Sequence, residues 1–286
     1  MIAVDSQDDP TGGKVETTKD RAARHLAQAA KRLGVAIQGA VVTGHLNGTA
    51  GVRTSGPAWL RVAVLSTELS TDDMWDGIAT ATGDPFDAVP MPHVLRSVEW
   101  TDQHLRVRAD LLTYIDQPTI GTGLVLEHEP ELTDPWWASL HASLEPLRQI
   151  ERTKRMAVNP HRFQAEILRW FGVQIDRDRI QWEVAHGDLH FGNLTAPRLC
   201  ILDWENWGWA PAGFDAAHLA YSAILHPRTE ARARTEFARV LDTYSGAVAE
   251  LVVATKYLRL VEARPHLDIA ASVRSRAEAA TQHRLA

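Results

Sequence analysis

The densest run of side chains able to do chemistry is His186-Gly187-Asp188-Leu189-His190-Phe191-Gly192-Asn193, and Asp203 ends the apolar stretch Leu199-Cys200-Ile201-Leu202 that follows. Asp188 and Asn193 belong to one loop, which would present a carboxylate base and an amide oxygen. The stretch from Leu199 to Leu202 reads as a short strand that delivers a second carboxylate beside them. A base for an acceptor hydroxyl and two oxygen ligands for a hard cation are parts that phosphoryl transfer from a metal-nucleotide requires. The same residues are open to other chemistry. His186, Asp188 and His190 alternate, so on an extended strand they would share one face and suit a hydrolase metal. Gly187, Gly192 and Asn193 argue instead for a tight loop, and no other His/Asp/Glu cluster in the sequence completes such a site. A third reading makes the run a structural turn, its Asp and Asn bonding local backbone.

The run meets the pattern H-G-D-x-H-x-x-N in full. With Asp203 it resembles the catalytic loop and metal-binding Asp of the aminoglycoside phosphotransferase family, whose wider kinase-like fold includes choline, homoserine and fructosamine kinases. The resemblance implies a small-molecule O-phosphotransferase that moves the γ-phosphate of a Mg-nucleotide, ATP or GTP, to a substrate hydroxyl, of antibiotic- or metabolite-kinase type. It makes Asp188 the catalytic base, has Asn193 and Asp203 hold Mg2+, and has His186 order the loop. The implied fold class is α+β, a two-lobed protein-kinase-like fold with a small β-rich N-terminal lobe and a larger, mainly helical C-terminal lobe. Asp215 would brace the catalytic loop; read as bare sequence, it is an N-cap for a helix from Ala216 to Leu225. Glu205, two residues past Asp203, would support the site or face the substrate.

The elements that must position these residues begin after an arm, 1–17, whose Asp and Gly content offers little to pack. A helix follows from about Thr18 to Leu33, with Leu26, Ala30 and Leu33 as its apolar stripe and Gly34 as its stop. From Val35 the chain reads as short strands with a glycine-bearing turn, Gly44 to Gly51. In a kinase-like lobe this turn, Gly48 included, would cover the nucleotide's phosphates with backbone N–H groups; an ordinary hairpin turn has the same glycines. Arg61 stands where the family places its phosphate-gripping cation, usually a lysine. No Lys occurs between Lys31 and Lys154, and Arg can clamp a phosphate bidentately. A solvent-facing Arg on an alternating strand fits the pattern as well. The missing lysine also opens a second function, a catalytically weak nucleotide-binding pseudokinase. Glu68 or Asp76 would supply the carboxylate that pairs with the cation.

A hairpin is expected from His93 to Ile115 around Thr101-Asp102-Gln103, and Thr113, Tyr114 and Ile115 then resemble the hinge whose backbone meets the adenine edge. The two lobes would span 18–113 and 114–286. In the second, Thr133-Asp134-Pro135 and Asn159-Pro160 start helices and Gly172 ends one. The acidic residues Glu127, Glu129, Glu131 and Asp134 could face a cationic substrate, but a charge run is more often a solvated loop.

Composition bounds the reading. With 286 residues, 45% of them hydrophobic, the chain can bury one large core or two. A formal charge of −6 and a pI near 6.1 do not suit a nucleic-acid binder. Apolar runs fall short of a membrane span, and the first residues lack a signal-peptide core. The single cysteine, Cys200, precludes an intramolecular disulfide and reads as a buried small hydrophobe. Together these features predict a cytoplasmic protein with a small-molecule hydroxyl substrate and a nucleoside triphosphate as partners, and neither nucleic acid nor membrane.

Overall fold

A computed structural model describes residues 18–44, 48–67, 75–264 and 266–285. The expected arm 1–17 and the candidate carboxylate Glu68 lie outside the described residues. Those that are described divide into two compact units: residues up to 67 with His93–Tyr114, and 75–92 with Ile115 onward.

The first unit is a five-stranded antiparallel sheet in the order β1-β2-β3-β5-β4. Its strands are β1 (Ile37–Thr43), β2 (Thr49–Thr54), β3 (Ala58–Ser66), β4 (Val94–Asp102) and β5 (Leu105–Thr113). Strand alternation sends Leu60, Val62, Ala109 and Leu111 to one face, where they pack on Leu26, Ala29, Ala30 and Leu33 of helix α1 (Thr18–Leu33). Gly34, at φ 62°, ends that helix as the sequence predicts, in the left-handed conformation that costs glycine least. The β4–β5 hairpin turns at Asp102 to Leu105, close to the expected position.

The other sheet face is polar. Arg61 pairs in register with Asp110 of β5, and Asp110 is almost wholly buried. Its carboxylate accepts from Arg108 Nε (2.9 and 3.0 Å) and from Ser97 Oγ (2.5 Å), with Arg61 Nη1 at 4.0 Å. Buried charge is tolerated when it is paired and hydrogen-bonded in this way.

The second unit is mainly helical and holds α2 (Gly77–Thr80), α3 (Asp134–Leu144), α4 (Arg162–Phe171), α5 (Phe214–Ser222), α6 (Pro227–Glu236), α7 (Ala238–Leu241), α8 (Tyr244–Ala263) and α9 (Ala270–Arg284). Thr133 caps α3 by accepting from the Trp136 N–H, and Gly172 closes α4 in the left-handed region. A two-stranded ladder of β6 (Trp182–Ala185) and β7 (Gly208–Pro211) completes it.

Residues 75–92, which the sequence grouped with the β-rich lobe of 18–113, pack within this second unit. Phe86 meets the rings of Trp204 and Trp207 edge-on, the Trp207 indole N–H donates to the Gly77 carbonyl at 2.9 Å, and the Ile201 N–H donates to Pro90. Aromatic burial on this scale outweighs proximity in sequence. Among the described residues, no helix is long and apolar enough to cross a membrane.

Candidate active site

The β6–β7 ladder pairs Ala185 with Gly208, so it clamps together the two ends of the segment 186–207 that carries the motif. Gly187 leaves β6 at φ 85°, and a Cβ there would stand 2.3 Å from the Asn206 carbonyl oxygen. Glycine is required at that position. The chain then runs through an extended stretch into a 3-10 turn at Phe191–Asn193, the tight loop that the glycines indicated.

The expected strand Leu199–Leu202 is not one. It forms a single bridge, Leu194 to Ile201, and spreads its other backbone bonds over Asn193, Thr195 and Pro90. An apolar run of four residues reads as a strand whether or not a partner strand flanks it. It still delivers Asp203, which has φ 65°, a conformation uncommon outside glycine and frequent at functional positions. Cys200 is buried there, its thiol pushed up to about 11 by burial, and is unreactive.

His186 is fully buried and ties the loop to this segment. Its Nδ1 accepts from the Asp188 N–H (3.2 Å) and its Nε2 donates to the Leu202 carbonyl (2.9 Å), while the ring stands edge-on to Trp204. Both ring nitrogens are thereby spent, so His186 has no lone pair for a hydrolase metal. Among the described residues, no three His, Cys, Asp or Glu side chains are grouped to hold one. The alternating His186/Asp188/His190 reading fails on that geometry.

Burial lowers the His186 imidazole to about 4, the effect opposed by Asp188 and by the bond to Leu202. A histidine depressed from about 6.5 to about 4 adds nothing to the pH dependence above 6.5. Below that, the unfolded chain takes up a proton that the folded chain refuses. Stability therefore falls as pH drops from 6.5 to 4, by about 3 kcal/mol in total. His186→Gln should remove this component, measured as the difference between wild type and variant in unfolding free energy at pH 7 and pH 4.5. Identical pH slopes would refute the neutral buried ring.

Asp215 braces the same loop from α5. Its two carboxylate oxygens accept from the N–H groups of His186 (2.7 Å) and Gly187 (3.0 Å). The N-cap expected at Asp215 lies two residues earlier: Gly213 caps α5 and Asp215 lies inside its first turn. Burial pushes the Asp215 carboxyl up to about 7 against those two bonds.

Asp188 is mostly buried and surrounded by nitrogen. Lys256 Nζ of α8 lies 2.5 Å from its Oδ1 and His218 Nδ1 3.9 Å from the same oxygen; His190 Nε2 lies 3.7 Å from Oδ2. Burial alone would raise the Asp188 carboxyl, but the Lys256 ammonium and the nearby His190 ring outweigh it and hold the group well below its ordinary range. Asn193 donates Nδ2 to the Asp188 carbonyl (3.0 Å), which turns its amide oxygen away from that contact. Asn193 Oδ1 and the Asp203 carboxylate are hard oxygen donors, the type that Mg2+ takes one or two of while keeping water and phosphate for the rest. The residues present fit that ion.

Lys256 escaped the sequence reading, since it lies far along the chain in a helix with no motif. Asp110, which the sequence reading did not single out, stands 4.0 Å from Arg61; of the two expected carboxylates, Glu68 lies outside the described residues and Asp76 precedes α2. Thr113 and Tyr114 have their N–H groups engaged, by the carbonyls of His93 (3.0 Å) and Pro57 (3.1 Å). Of the three proposed hinge residues, only Ile115 has an N–H outside those bonds. The Tyr114 ring lies against Trp59 and under Arg53. Gly48 leads into β2, its carbonyl accepting from Val64. Three of the four residues of the acidic run bond internally, Glu127 to Thr122, Glu129 to Thr229 and Asp134 to Arg232, and Glu131 is exposed.

Residues 126–251 match the model of the phosphotransferase enzyme family, APH. No curated protein sequence matches the chain. Among solved structures, the chain is similar to the aminoglycoside phosphotransferase APH(3'')-Id of Streptomyces rimosus, at 16% identity over 82% of this chain and 97% of that one, with a TM-score of 0.53. It is also similar to an aminoglycoside phosphotransferase of the APH(2") type in complex with GDP and kanamycin, at 13% identity over 90% and 98%, TM-score 0.58. The amicoumacin kinase hAmiN, bound to AMP-PNP, Ca2+ and its substrate, matches at 11% identity over 94% and 98%, TM-score 0.55. At these identities the likeness shows the fold, which is kinase-like and two-lobed.

Proposed function

We propose, on the match of residues 126–251 to the phosphotransferase enzyme family, that the chain is a small-molecule O-phosphotransferase that moves the γ-phosphate of ATP or GTP to a substrate hydroxyl. The carrying observation is the grouping on one clamped segment of Asp188, Asn193 bonded to the Asp188 carbonyl, and His186 bonded to the residue before Asp203. Asp188 accepts or orients the proton of the acceptor hydroxyl. Its low basicity suits a loose transition state, in which the attacking oxygen needs positioning more than deprotonation. Asn193 and Asp203 would hold Mg2+, which when bound neutralises charge on the nucleotide's phosphates. His186 and Asp215 keep the loop in register without touching substrate. We assign the nucleotide contacts to Arg61, Gly48 and the Thr113-Tyr114 backbone of the first unit, through carbonyls since both N–H groups are engaged, and to Ile115 of the second. The relatives' complexes with GDP, AMP-PNP, kanamycin and amicoumacin support a nucleotide donor and a small-molecule acceptor.

The test is thermal stability with ATP or GTP, each with and without Mg2+, on wild type and Asp203→Ala. Nucleotide at about a hundred times its dissociation constant should add roughly 2.7 kcal/mol. That gain should require Mg2+ and disappear in Asp203→Ala. A shift indifferent to both, or no shift at millimolar nucleotide, would reduce the chain to a kinase-like fold without the donor site.

A further inference from the structure

The groups around Asp188 carry information about the acceptor. Lys256 lies on α8 between Thr255 and Tyr257, both buried, so its stem is held by the helix core while the ammonium reaches Asp188. An ammonium has three donors. One is used on Asp188 Oδ1, and no other partner for it exists among the described residues. The sequence contains 30 Lys and Arg, of which only five are Lys, yet the cation at this position is a lysine. An arginine there would fork across both carboxylate oxygens, whereas a lysine engages one and leaves the rest of its donors for another group.

A second observation points the same way. His218 of α5 is fully buried beside Asp188, and neither of its ring nitrogens has a hydrogen-bond partner. A neutral imidazole carries one donor and one acceptor, and leaving both unmet in the interior is costly. The ring lies among His190, Phe214 and Tyr257, and its Nδ1 is directed at the Asp188 oxygen that Lys256 also meets. His190 is committed on its other side, where Nδ1 accepts from the Gly192 N–H (3.1 Å). Asp188 Oδ1 is therefore faced by an ammonium with spare donors and a histidine with an unspent donor and acceptor.

The ammonium beside Asp188 disfavours a cationic group there. Lys256 offsets Asp188; in the acidic run Glu127 and Glu129 bond Thr122 and Thr229 and Asp134 pairs with Arg232. One turn further along α8, Arg259 adds a second cation, with Glu166 at 3.8 Å as its loose partner. An amine-bearing acceptor would set its charge against Lys256.

We infer that the acceptor hydroxyl belongs to a molecule bearing an anionic group, a carboxylate or a phosphate, and that Lys256 binds this group while Asp188, backed by the buried His218, meets the hydroxyl. This inference rests on the phosphotransferase reading for what happens to the hydroxyl, but the anion site can be tested separately.

The experiment uses a size-matched set, gluconate, glucose and glucosamine, with glucose 6-phosphate as the phosphate source and kanamycin as a polycation. Each is offered to the full chain, first alone and then with Mg-ATP or Mg-GTP. Binding is read as thermal stabilisation and transfer as nucleotide consumption above the water background. The expected result is an affinity order of anion over neutral over cation, at least ten-fold from first to last. Lys256→Met should abolish that order and Lys256→Arg should restore part of it. Preference for gluconate or for glucose 6-phosphate identifies which anion is meant. Equal responses across the set, a preference for glucosamine or kanamycin, or an order unchanged in Lys256→Met would each overturn the inference. A wild type that orders the acceptors without any Mg2+-dependent nucleotide shift would instead overturn the phosphotransferase reading alone.

Discussion

Asp188→Asn is expected to lower turnover by roughly a hundred- to ten-thousand-fold, the range for removing a positioned general base, while leaving nucleotide-dependent stabilisation in place. The substitution is nearly isosteric. The loop contacts made by the residue's backbone persist, because its N–H donates to His186 Nδ1 and its carbonyl accepts from Asn193. What is lost is the anionic oxygen facing the acceptor. An amide can present its NH2 to the hydroxyl and misdirect the proton, and it no longer balances Lys256. The pH profile gives an independent check. With the carboxyl held well below its ordinary range by Lys256 and His190 despite burial, Asp188 stays ionised through mildly acidic solution. Activity should therefore show no acid limb from this group between pH 5 and 8. Single-turnover rates at saturating nucleotide would decide the matter; a loss under ten-fold would remove Asp188 from the reaction.

What the sequence disclosed was local. Gly34, Thr133 and Gly172 mark helix ends because caps act within one turn, and the β4–β5 hairpin is written in alternation over adjacent residues. The motif was legible for the same reason: Asp188 and Asn193 meet inside one loop, and Gly187 is there because no Cβ fits against Asn206. The losses are all long-range. Lys256 reaches Asp188 from 68 positions along the chain, on a helix whose buried face is Ala, Val, Leu and Tyr, and nothing in its neighbourhood announces a site. Asp110 looked like one more alternating residue on β5 until the register set it opposite Arg61. Leu199–Leu202 has the composition of a strand, but a strand also needs a partner, and composition does not carry one. Residues 75–92 follow Phe86 into the aromatic cluster of the second unit, a choice made by ring packing rather than by order along the chain.

Asp215→Ala should be the most damaging change for the integrity of the loop. It strips the only carboxylate acceptors from two adjacent buried N–H groups, those of His186 and Gly187, and each orphaned donor costs roughly 1–3 kcal/mol. The pH at which the loss is measured matters. The Asp215 carboxyl is near 7 in the folded chain and near 3.8 when unfolded. Between those values the folded chain holds a proton that the unfolded chain has released, so this group favours folding increasingly as pH falls from 7 to 4, by roughly 4 kcal/mol in total. His186 works in the opposite direction over nearly the same window. In the wild type the two components largely offset one another. Removing Asp215 leaves the His186 component alone, so the variant should be acid-labile where the parent is not. Urea unfolding at pH 7 and pH 5 separates these effects: the destabilisation by Asp215→Ala should be larger at pH 5. Activity should fall with it, since Gly187 and His186 set where Asp188 stands. A loss below 1 kcal/mol at both values, with turnover intact, would mean that the loop holds its shape through His186 and Leu202 without the brace.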